Sequence, residues 1–190
     1  MGACFHEERL RCIHPQLLLV VETWKRLLPF PVLICCGARG DAEQLALWHS
    51  GRDAAGNLVD KSLWRTNAQT TEKSPHGFRW IAGQALACAI DARPCSDRGL
   101  TDLGPKDEEA KLAEMARMAR TLSNVVWGGD WNGPPDPDHF EVAGWRLYTA
   151  CPASLQPKLT VQTRLDDPPD FSDVVGGSST WSGDHCCTLS

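Results

Sequence analysis

The sequence predicts an α+β fold in which helices pack on a small antiparallel sheet. Segments with apolar residues at helical spacing alternate along the chain with short apolar runs of strand length. The chain has 190 residues, of which 42% are hydrophobic, so a core of ordinary size can form. There is no internal repeat, which favours one domain over an array of small units.

Three helices are predicted from spacing and from signals at their ends. In residues 15–28, apolar side chains recur at steps of three and four residues, and two prolines follow. Residues 41–49 form a shorter segment, for which Asp41 is the expected N-cap. Residues 105–122 begin with a proline, carry acidic side chains in the first turn and have arginines near the end.

Four short strands are predicted between and after these helices. They are expected at residues 32–36, 86–90, 125–127 and 139–142, which are short runs rich in apolar residues. The second of them ends at Asp91. An aspartate at the end of a buried strand lies on a rigid element, which is a suitable place for a functional group.

Composition excludes several broad classes of protein. The formal net charge is −5, which disfavours a nucleic-acid partner. No apolar run approaches the roughly 20 residues that span a bilayer, so no stable membrane anchor is expected. The charged N-terminus is a poor signal peptide, which predicts synthesis in a (host) cytoplasm. The nine cysteines include no C-x-x-C pair, so a cysteine zinc knuckle is not expected.

The character of the chain changes near Pro152. Acidic, proline-rich and glycine-serine segments follow, without apolar periodicity. Such composition is typical of chains that cannot bury enough apolar surface to fold. We therefore expect one domain over residues 1–152 and an extended or disordered tail over residues 153–190.

The residue types of a catalytic metal site are concentrated in a few motifs. Residues 136–141 have the sequence DPDHFE, which places His139 among carboxylates. His76 and Asp91 lie upstream, and together with His139 they can supply three metal ligands. A catalytic zinc ion needs three protein ligands, an open position for water and a carboxylate as general base. Asp136 and Asp138 are both candidates for that base.

Six motifs occur in a distinctive order between about residues 10 and 145. They are Gly37-Ala38-Arg39, Glu43-Gln44, Ser74-Pro75-His76, ACAID at 87–91, WGGDW at 127–131 and DPDHFE at 136–141. In combination they resemble the VanY-like zinc peptidases, which include D-Ala-D-Ala carboxypeptidases and the L-alanyl-D-glutamate endolysins of bacteriophages. The WGGDW block with a following HFE looks most like the endolysin branch. The resemblance implies a hedgehog/D-Ala-D-Ala peptidase-like fold with zinc at the open face of the sheet.

The resemblance also assigns a metal set and a base. It implies that His76, Asp91 and His139 are the zinc ligands and that Asp136 is the catalytic base, matching the acidic residue three places before the family's last histidine. One departure concerns spacing, because His76 and Asp91 lie 15 positions apart, farther than in the family pattern. Residues 77–84 are therefore expected to loop out so that both ligands can meet one ion.

Further residues are expected around this metal set. By the resemblance, Arg39 would bind a substrate carboxylate or stabilise the oxyanion, for which a guanidinium is suited. Gln44 and Ser74 would line the substrate cleft. Alternate residues of a strand share a face, so Glu141 should project beside His139. There it would either hydrogen-bond to a zinc ligand or pair across the sheet.

The activity implied by the resemblance is zinc-dependent hydrolysis of a peptidoglycan stem peptide. The bond would be L-Ala-D-Glu, cut by a monomeric phage-type endolysin that reaches the cell wall after release from the cytoplasm. A D-Ala-D-Ala carboxypeptidase is one alternative. A non-catalytic, zinc-containing cell-wall-binding module is the other.

Overall fold

Three α-helices are present in the computed structural model, which describes residues 7–61, 66–96, 103–122 and 124–157. They are α1 (Pro15–Leu27), α2 (Asp41–His49) and α3 (Pro105–Thr121). All three helices agree with the predictions to within one residue. The expected N-cap of α2 is wrong, because Gly40 is the cap and Asp41 is the first helical residue. The Asp41 carboxylate instead accepts a hydrogen bond from the hydroxyl of Thr71.

Within the described residues, six strands form two antiparallel sheets. They are β1 (Val32–Cys36), β2 (Phe78–Ile81), β3 (Gln84–Ala87), β4 (Ala89–Pro94), β5 (Val125–Trp127) and β6 (His139–Val142). The larger sheet has the order β1-β4-β6-β5, and β2 pairs with β3 in the smaller one. The predicted α+β class is thereby confirmed.

The two faces of the four-stranded sheet have different environments. Ile90 and Phe140 are fully buried and belong to the core that α1 and α3 cover. Trp24 of α1 packs edge-on against Phe140 with ring centroids 4.8 Å apart, and its indole N–H donates to the Met115 carbonyl of α3. Because side chains alternate along a strand, Asp91 and His139 project from the opposite face. That face carries the polar residues of the site.

The long step between His76 and Asp91 contains a β-hairpin. Phe78 of β2 lies opposite Ala87 of β3, so the chain leaves and returns to nearly the same point. Ala82 and Gly83 join the strands with φ values of 50° and 84°, as in a two-residue type I′ turn. The expected excursion of residues 77–84 therefore takes the form of regular structure rather than an open loop.

The predicted strand at residues 86–90 is wrong in its bounds. The chain passes from β3 to β4 at Cys88, whose N–H donates to the Pro75 carbonyl at 2.8 Å. Asp91 is the third residue of β4 and lies within that strand, not at its end. A continuous apolar run does not reveal that the chain changes sheets inside it.

A β-bulge interrupts the pairing of β1 with β4. Ile34 lies opposite Ala92, but Cys36 lies opposite Asp91, so Cys35 is the extra residue. Bulges bend a strand and change the direction of the side chains that follow. Here the bulge places Cys36 beside Asp91.

The described residues include only the start of the predicted tail. A short 3-10 helix spans Ala153–Leu155, and residues 158–190 lie outside the described residues. The boundary at residue 152 and the disordered tail stay predictions. Within the described ranges, no helix has the length and apolar character required to cross a membrane.

Candidate metal centre

Three potential ligand atoms from His76, Asp91 and His139 meet on the polar face of the sheet. His76 Nε2 lies 3.2 Å from Asp91 Oδ1, and His139 Nδ1 lies 2.9 Å from the same oxygen. The two ring nitrogens are 3.4 Å apart. Ligands at zinc distances of about 2.0–2.2 Å in a tetrahedron are roughly 3.3–3.5 Å from one another. The three atoms therefore have nearly the spacing of one face of a zinc coordination tetrahedron.

The backbone pairing of β4 with β6 places two of these residues side by side. Asp91 and His139 are direct register partners in the antiparallel ladder. Directly opposite residues point to the same face, with Cβ atoms about 4.5–5.5 Å apart. The ladder itself thus sets the separation between the carboxylate and the imidazole.

His76 comes from a loop, and several backbone contacts fix its position. The residue is only 3% exposed, and its Nδ1 is 2.8 Å from the Gly37 carbonyl, which can only accept. That contact places the ring proton on Nδ1 and leaves the Nε2 lone pair directed at Asp91 and His139. The Ser74 hydroxyl accepts the His76 backbone N–H at 3.3 Å. His76 is therefore held as a neutral ring with its free nitrogen facing the site.

His139 has a corresponding partner on its other nitrogen. Its Nε2 lies 3.2 Å from Glu141 Oε2, two residues along β6. Metal-binding histidines commonly donate their second N–H to a carboxylate, which fixes the ring and strengthens it as a ligand. Glu141 thus projects beside His139, as the strand alternation predicted, and leaves Nδ1 for a metal.

Arg39 contacts the Asp91 oxygen that does not face the two histidines. Its Nη2 donates to Asp91 Oδ2 at 2.8 Å, and its Nε donates to the sulfur of Cys36 at 2.9 Å. Arg39 is only 9% exposed. The guanidinium holds one carboxylate oxygen so that the other faces the two histidines. Its predicted contact with substrate stays a prediction.

Electrostatics in the cluster favour a charged carboxylate beside one neutral imidazole. Burial, followed by the Arg39 charge, lowers the pKa of His76. Burial opposes ionisation of Asp91, but His76, His139 and Arg39 outweigh it and hold its pKa well below the usual range. Burial also opposes a charge on His139, yet its hydrogen bonds with Asp91 and Glu141 raise its pKa to about 9. A metal ion would replace this His139 proton as the positive charge beside Asp91.

Asp136 lies on the turn before β6, within electrostatic reach of the cluster. Desolvation of its carboxyl group raises the pKa of Asp136, and the charge of Asp91 raises it further, although the residue as a whole is exposed. A raised pKa suits a general base, which works best when its pKa approaches the working pH. Asp136 is thus available for proton transfer.

Asp138 is differently engaged. Its Oδ2 lies 3.4 Å from Arg93 Nε, and its carbonyl accepts the Ala92 N–H at 2.8 Å. Burial raises its pKa to about 6, against the opposing charge of Arg93. This pKa would also suit a general base, but the ion pair with Arg93 engages the Asp138 carboxylate, and this contact favours Asp136 as the base.

The turn that carries Asp136 depends on a close approach to Gly128. The Asp136 N–H donates to the Gly128 carbonyl at 3.1 Å. A Cβ at position 128 would lie 2.4 Å from the Asp136 carbonyl oxygen. The first glycine of the WGGDW motif therefore permits the packing that brings Asp136 near the metal ligands.

Ser74 and Gln44 are deeply buried. Ser74 is 2% exposed and supports the His76 backbone. Gln44 is 0% exposed, and its side-chain amide donates to the Ala68 carbonyl at 2.5 Å. Gln44 therefore contacts the chain at residue 68, whereas Ser74 contacts His76, and the predicted contact of both with substrate stays a prediction.

The sequence analysis did not identify Cys36 or Trp131 as residues of the site. Cys36, His76 and Asp91 each offer a ligand atom within 4.8 Å of the others. The Trp131 ring is 5.1 Å from the His139 ring, and Trp131 is 39% exposed. The register of a regular strand would have placed Cys35 opposite Asp91, so only the bulge reveals Cys36.

The residues of this centre fit a zinc ion. Two imidazole nitrogens and one carboxylate oxygen are ligands that zinc accepts, and three protein ligands leave a fourth position open. Both histidines have their second nitrogen engaged, as bound histidines require. This His/Asp/His face beside an available carboxylate is the arrangement of a metallopeptidase.

Residues 67–142 match the family model described as D-alanyl-D-alanine carboxypeptidase. This segment is less than half of the chain, but it contains His76, Asp91, Asp136 and His139. The match confirms the predicted resemblance to this peptidase family over the segment, and with it the predicted enzyme class of metallopeptidase. Arg39 and Gln44 lie outside the matched residues.

The structure of L-Ala D-Glu endopeptidase ChiX from Serratia marcescens is similar at 22% identity and a TM-score of 0.46. The alignment covers 72% of this chain and 85% of that one. No curated protein matches the chain.

Proposed function

We propose that the protein is a zinc-dependent endopeptidase that hydrolyses the L-Ala-D-Glu bond of peptidoglycan stem peptides, as a phage-type endolysin does. The observation that carries the metal-dependent part is the 2.9–3.4 Å spacing of the three ligand atoms on His76, Asp91 and His139. The family match over residues 67–142 supports a peptidase acting on the bacterial cell wall.

Each residue of the metal centre has its own role in the proposed hydrolysis. A bound zinc would activate a water molecule at the open position and polarise the scissile carbonyl. Asp136 accepts the proton of the attacking water and passes it to the leaving amine. Arg39 holds Asp91, and Glu141 holds His139, so both ligands keep their orientation during the reaction.

The position of Arg39 favours an endopeptidase over a carboxypeptidase. A carboxypeptidase must recognise a free terminal carboxylate, for which a guanidinium is well suited. Arg39 was the candidate for this role, but it is buried and bonded to Asp91 and Cys36. Cleavage of the L-Ala-D-Glu bond does not depend on a chain terminus, although the D-Glu α-carboxylate lies beside that bond. An Arg39 that is engaged by Asp91 and Cys36 is therefore compatible with an endopeptidase.

The cleavage products of purified sacculi test which bond the protein hydrolyses. Incubation with zinc-loaded protein should create new amino termini on D-Glu, which terminal labelling and mass spectrometry can detect. Released D-Ala without those termini would establish the carboxypeptidase instead. Binding to sacculi without any cleavage would establish the non-catalytic wall-binding module.

The Asp136→Ala variant tests the assigned base. It should abolish cleavage while zinc content, measured by atomic emission, remains at the wild-type level. Asp138→Ala is the matched control, because it removes a carboxylate two residues away that is paired with Arg93. Cleavage that survives Asp136→Ala would show that another group accepts the proton.

A further inference from the structure

Cys36 adds a sulfur to the edge of the metal centre. A ligand atom of Cys36 lies within 4.8 Å of ligand atoms on both His76 and Asp91. The same guanidinium contacts the sulfur and Asp91 Oδ2, since Arg39 donates Nε to one and Nη2 to the other. His76 and Asp91 thus belong to two overlapping sets of ligands, one completed by His139 and the other by Cys36.

The chemistry of the second set differs from that of the first. A thiolate is a softer ligand than imidazole or carboxylate. Zinc accepts all three, but the exchange of His139 for Cys36 increases the preference for thiophilic ions such as Cd²⁺ and Cu⁺. Ligands on one tetrahedral ion are roughly 3.3–3.8 Å apart, so the set would close by at most about 1.5 Å on binding. The bulge in β1 fixes the starting position, because it places Cys36 opposite Asp91.

We propose that Cys36, His76 and Asp91 form an alternative site for a thiophilic metal ion, which excludes zinc because it uses two of the same ligands. On binding, the Cys36 thiol releases its proton to solvent and the sulfur bonds to the ion. The Arg39 Nε–H remains a donor to the resulting thiolate. The proposal rests on the metal centre of the proposed function for two ligands, and it predicts that soft ions inactivate the protein by replacement.

Cadmium titration of the metal-free full-length protein tests this site. Thiolate-to-cadmium charge transfer absorbs in the ultraviolet, so sulfur ligation is observed independently of enzyme activity. The first equivalent of Cd²⁺ should produce this absorption in the wild type, and on the zinc-loaded protein the absorption should develop only as zinc is released. Cadmium absorption that develops while the zinc stays bound would overturn the shared-ligand proposal.

Cys36→Ser and Cys35→Ser form a matched pair of variants. Serine at position 36 keeps an acceptor for Arg39 but removes the soft ligand, whereas position 35 is the neighbouring half-buried cysteine of the same strand. Cys36→Ser should lose the absorption of the first equivalent. It should also bind Cd²⁺ at least about tenfold more weakly, because the loss of a residue that only supports a metal ligand already lowers metal affinity by about that factor. Cys35→Ser should behave like the wild type in both measurements.

The outcomes separate this inference from the proposed function. Unchanged first-equivalent absorption in Cys36→Ser would exclude Cys36 as a ligand, even if the zinc protein cleaves sacculi. Cadmium binding through Cys36 in a protein that never cleaves sacculi would uphold the inference and refute the proposed activity. If Cys36→Ser does not fold, the zinc competition in the wild type still decides whether the two ions share ligands.

Discussion

The sheet and the loops contribute to the metal centre in different ways. Asp91 and His139 are register partners on β4 and β6, so the backbone ladder fixes their separation. His76 and Asp136 lie on loops, where a serine hydroxyl, backbone carbonyls and closely packed glycines hold them. The sheet-borne pair is therefore part of the fold, whereas the loop-borne pair is an addition that can be disturbed separately.

This difference has a consequence for mutational effects. A change in the sheet-borne pair should reduce both stability and metal affinity, because the same contacts serve both. A change in the loops should cost less stability and should act mainly through the one group that the loop carries. Substitutions in the two regions should therefore have different effects on stability, zinc affinity and cleavage.

Asp91→Ala should cause the largest loss. It removes a metal ligand and leaves the Arg39 guanidinium buried without its carboxylate, which typically costs about 3–5 kcal/mol. Zinc binding, measured by calorimetry, should be abolished, and the urea midpoint should fall. Asp130→Ala is the control, because its pair with Arg120 is half exposed and should contribute no more than about 1 kcal/mol. A fully stable Asp91→Ala protein would contradict the dual role of Asp91.

Gly77→Ala should disturb the His76 loop. A Cβ at this position would lie 2.0 Å from the Thr71 carbonyl oxygen, so the backbone must shift. We expect weaker zinc binding together with a stability loss of about 1–3 kcal/mol, as for other overpacked sites. Gly104→Ala has open space around its Cβ and serves as the control. Equal zinc affinities in the two variants would show that the loop does not set the position of His76.

Gly128→Ala should separate catalysis from metal binding. The new Cβ would meet the Asp136 carbonyl oxygen at 2.4 Å and displace the turn that carries the proposed base. Cleavage of sacculi should fall by a larger factor than zinc affinity. Gly133→Ala, where a Cβ meets nothing within 4 Å, should leave both unchanged. A parallel loss of zinc would indicate that the turn mainly supports His139.

Ala82→Asn should have the smallest effect, and a favourable one. Ala82 has a φ of 50°, a region that costs an alanine about 1–2 kcal/mol and that asparagine adopts more readily. Asparagine before Gly83 also gives the preferred pair for a type I′ turn. The unfolding free energy should rise by up to about 1 kcal/mol, with zinc affinity unchanged. A change in zinc affinity would show that the hairpin tip is coupled to the metal centre.

The helices and the motif-bearing strands were predictable because their signals are local. Residues 105–122 had both spacing and end signals, and α3 occupies Pro105–Thr121. The division at Cys88 was not predictable, because the same apolar residues continue while the chain moves from one sheet to another. The hairpin between His76 and Asp91 was foreseen only as an excursion.

The metal centre was likewise predictable from sequence only in part. The motif order pointed to His76, Asp91 and His139, and the structure brings these three together. Sequence alone could not show that Arg39 bonds to Asp91, because the two lie on separate elements and meet only after folding. Nor could it select Cys36 over Cys35, since that choice depends on one irregular step in strand pairing.

The irregular step in β1 also affects how the chain tolerates a change in length. The bulge has a cysteine as its extra residue and another immediately after it. Deleting either residue would straighten the strand, yet the remaining cysteine would still stand opposite Asp91. The doubled cysteine therefore makes the thiol beside the metal centre insensitive to the loss of one residue.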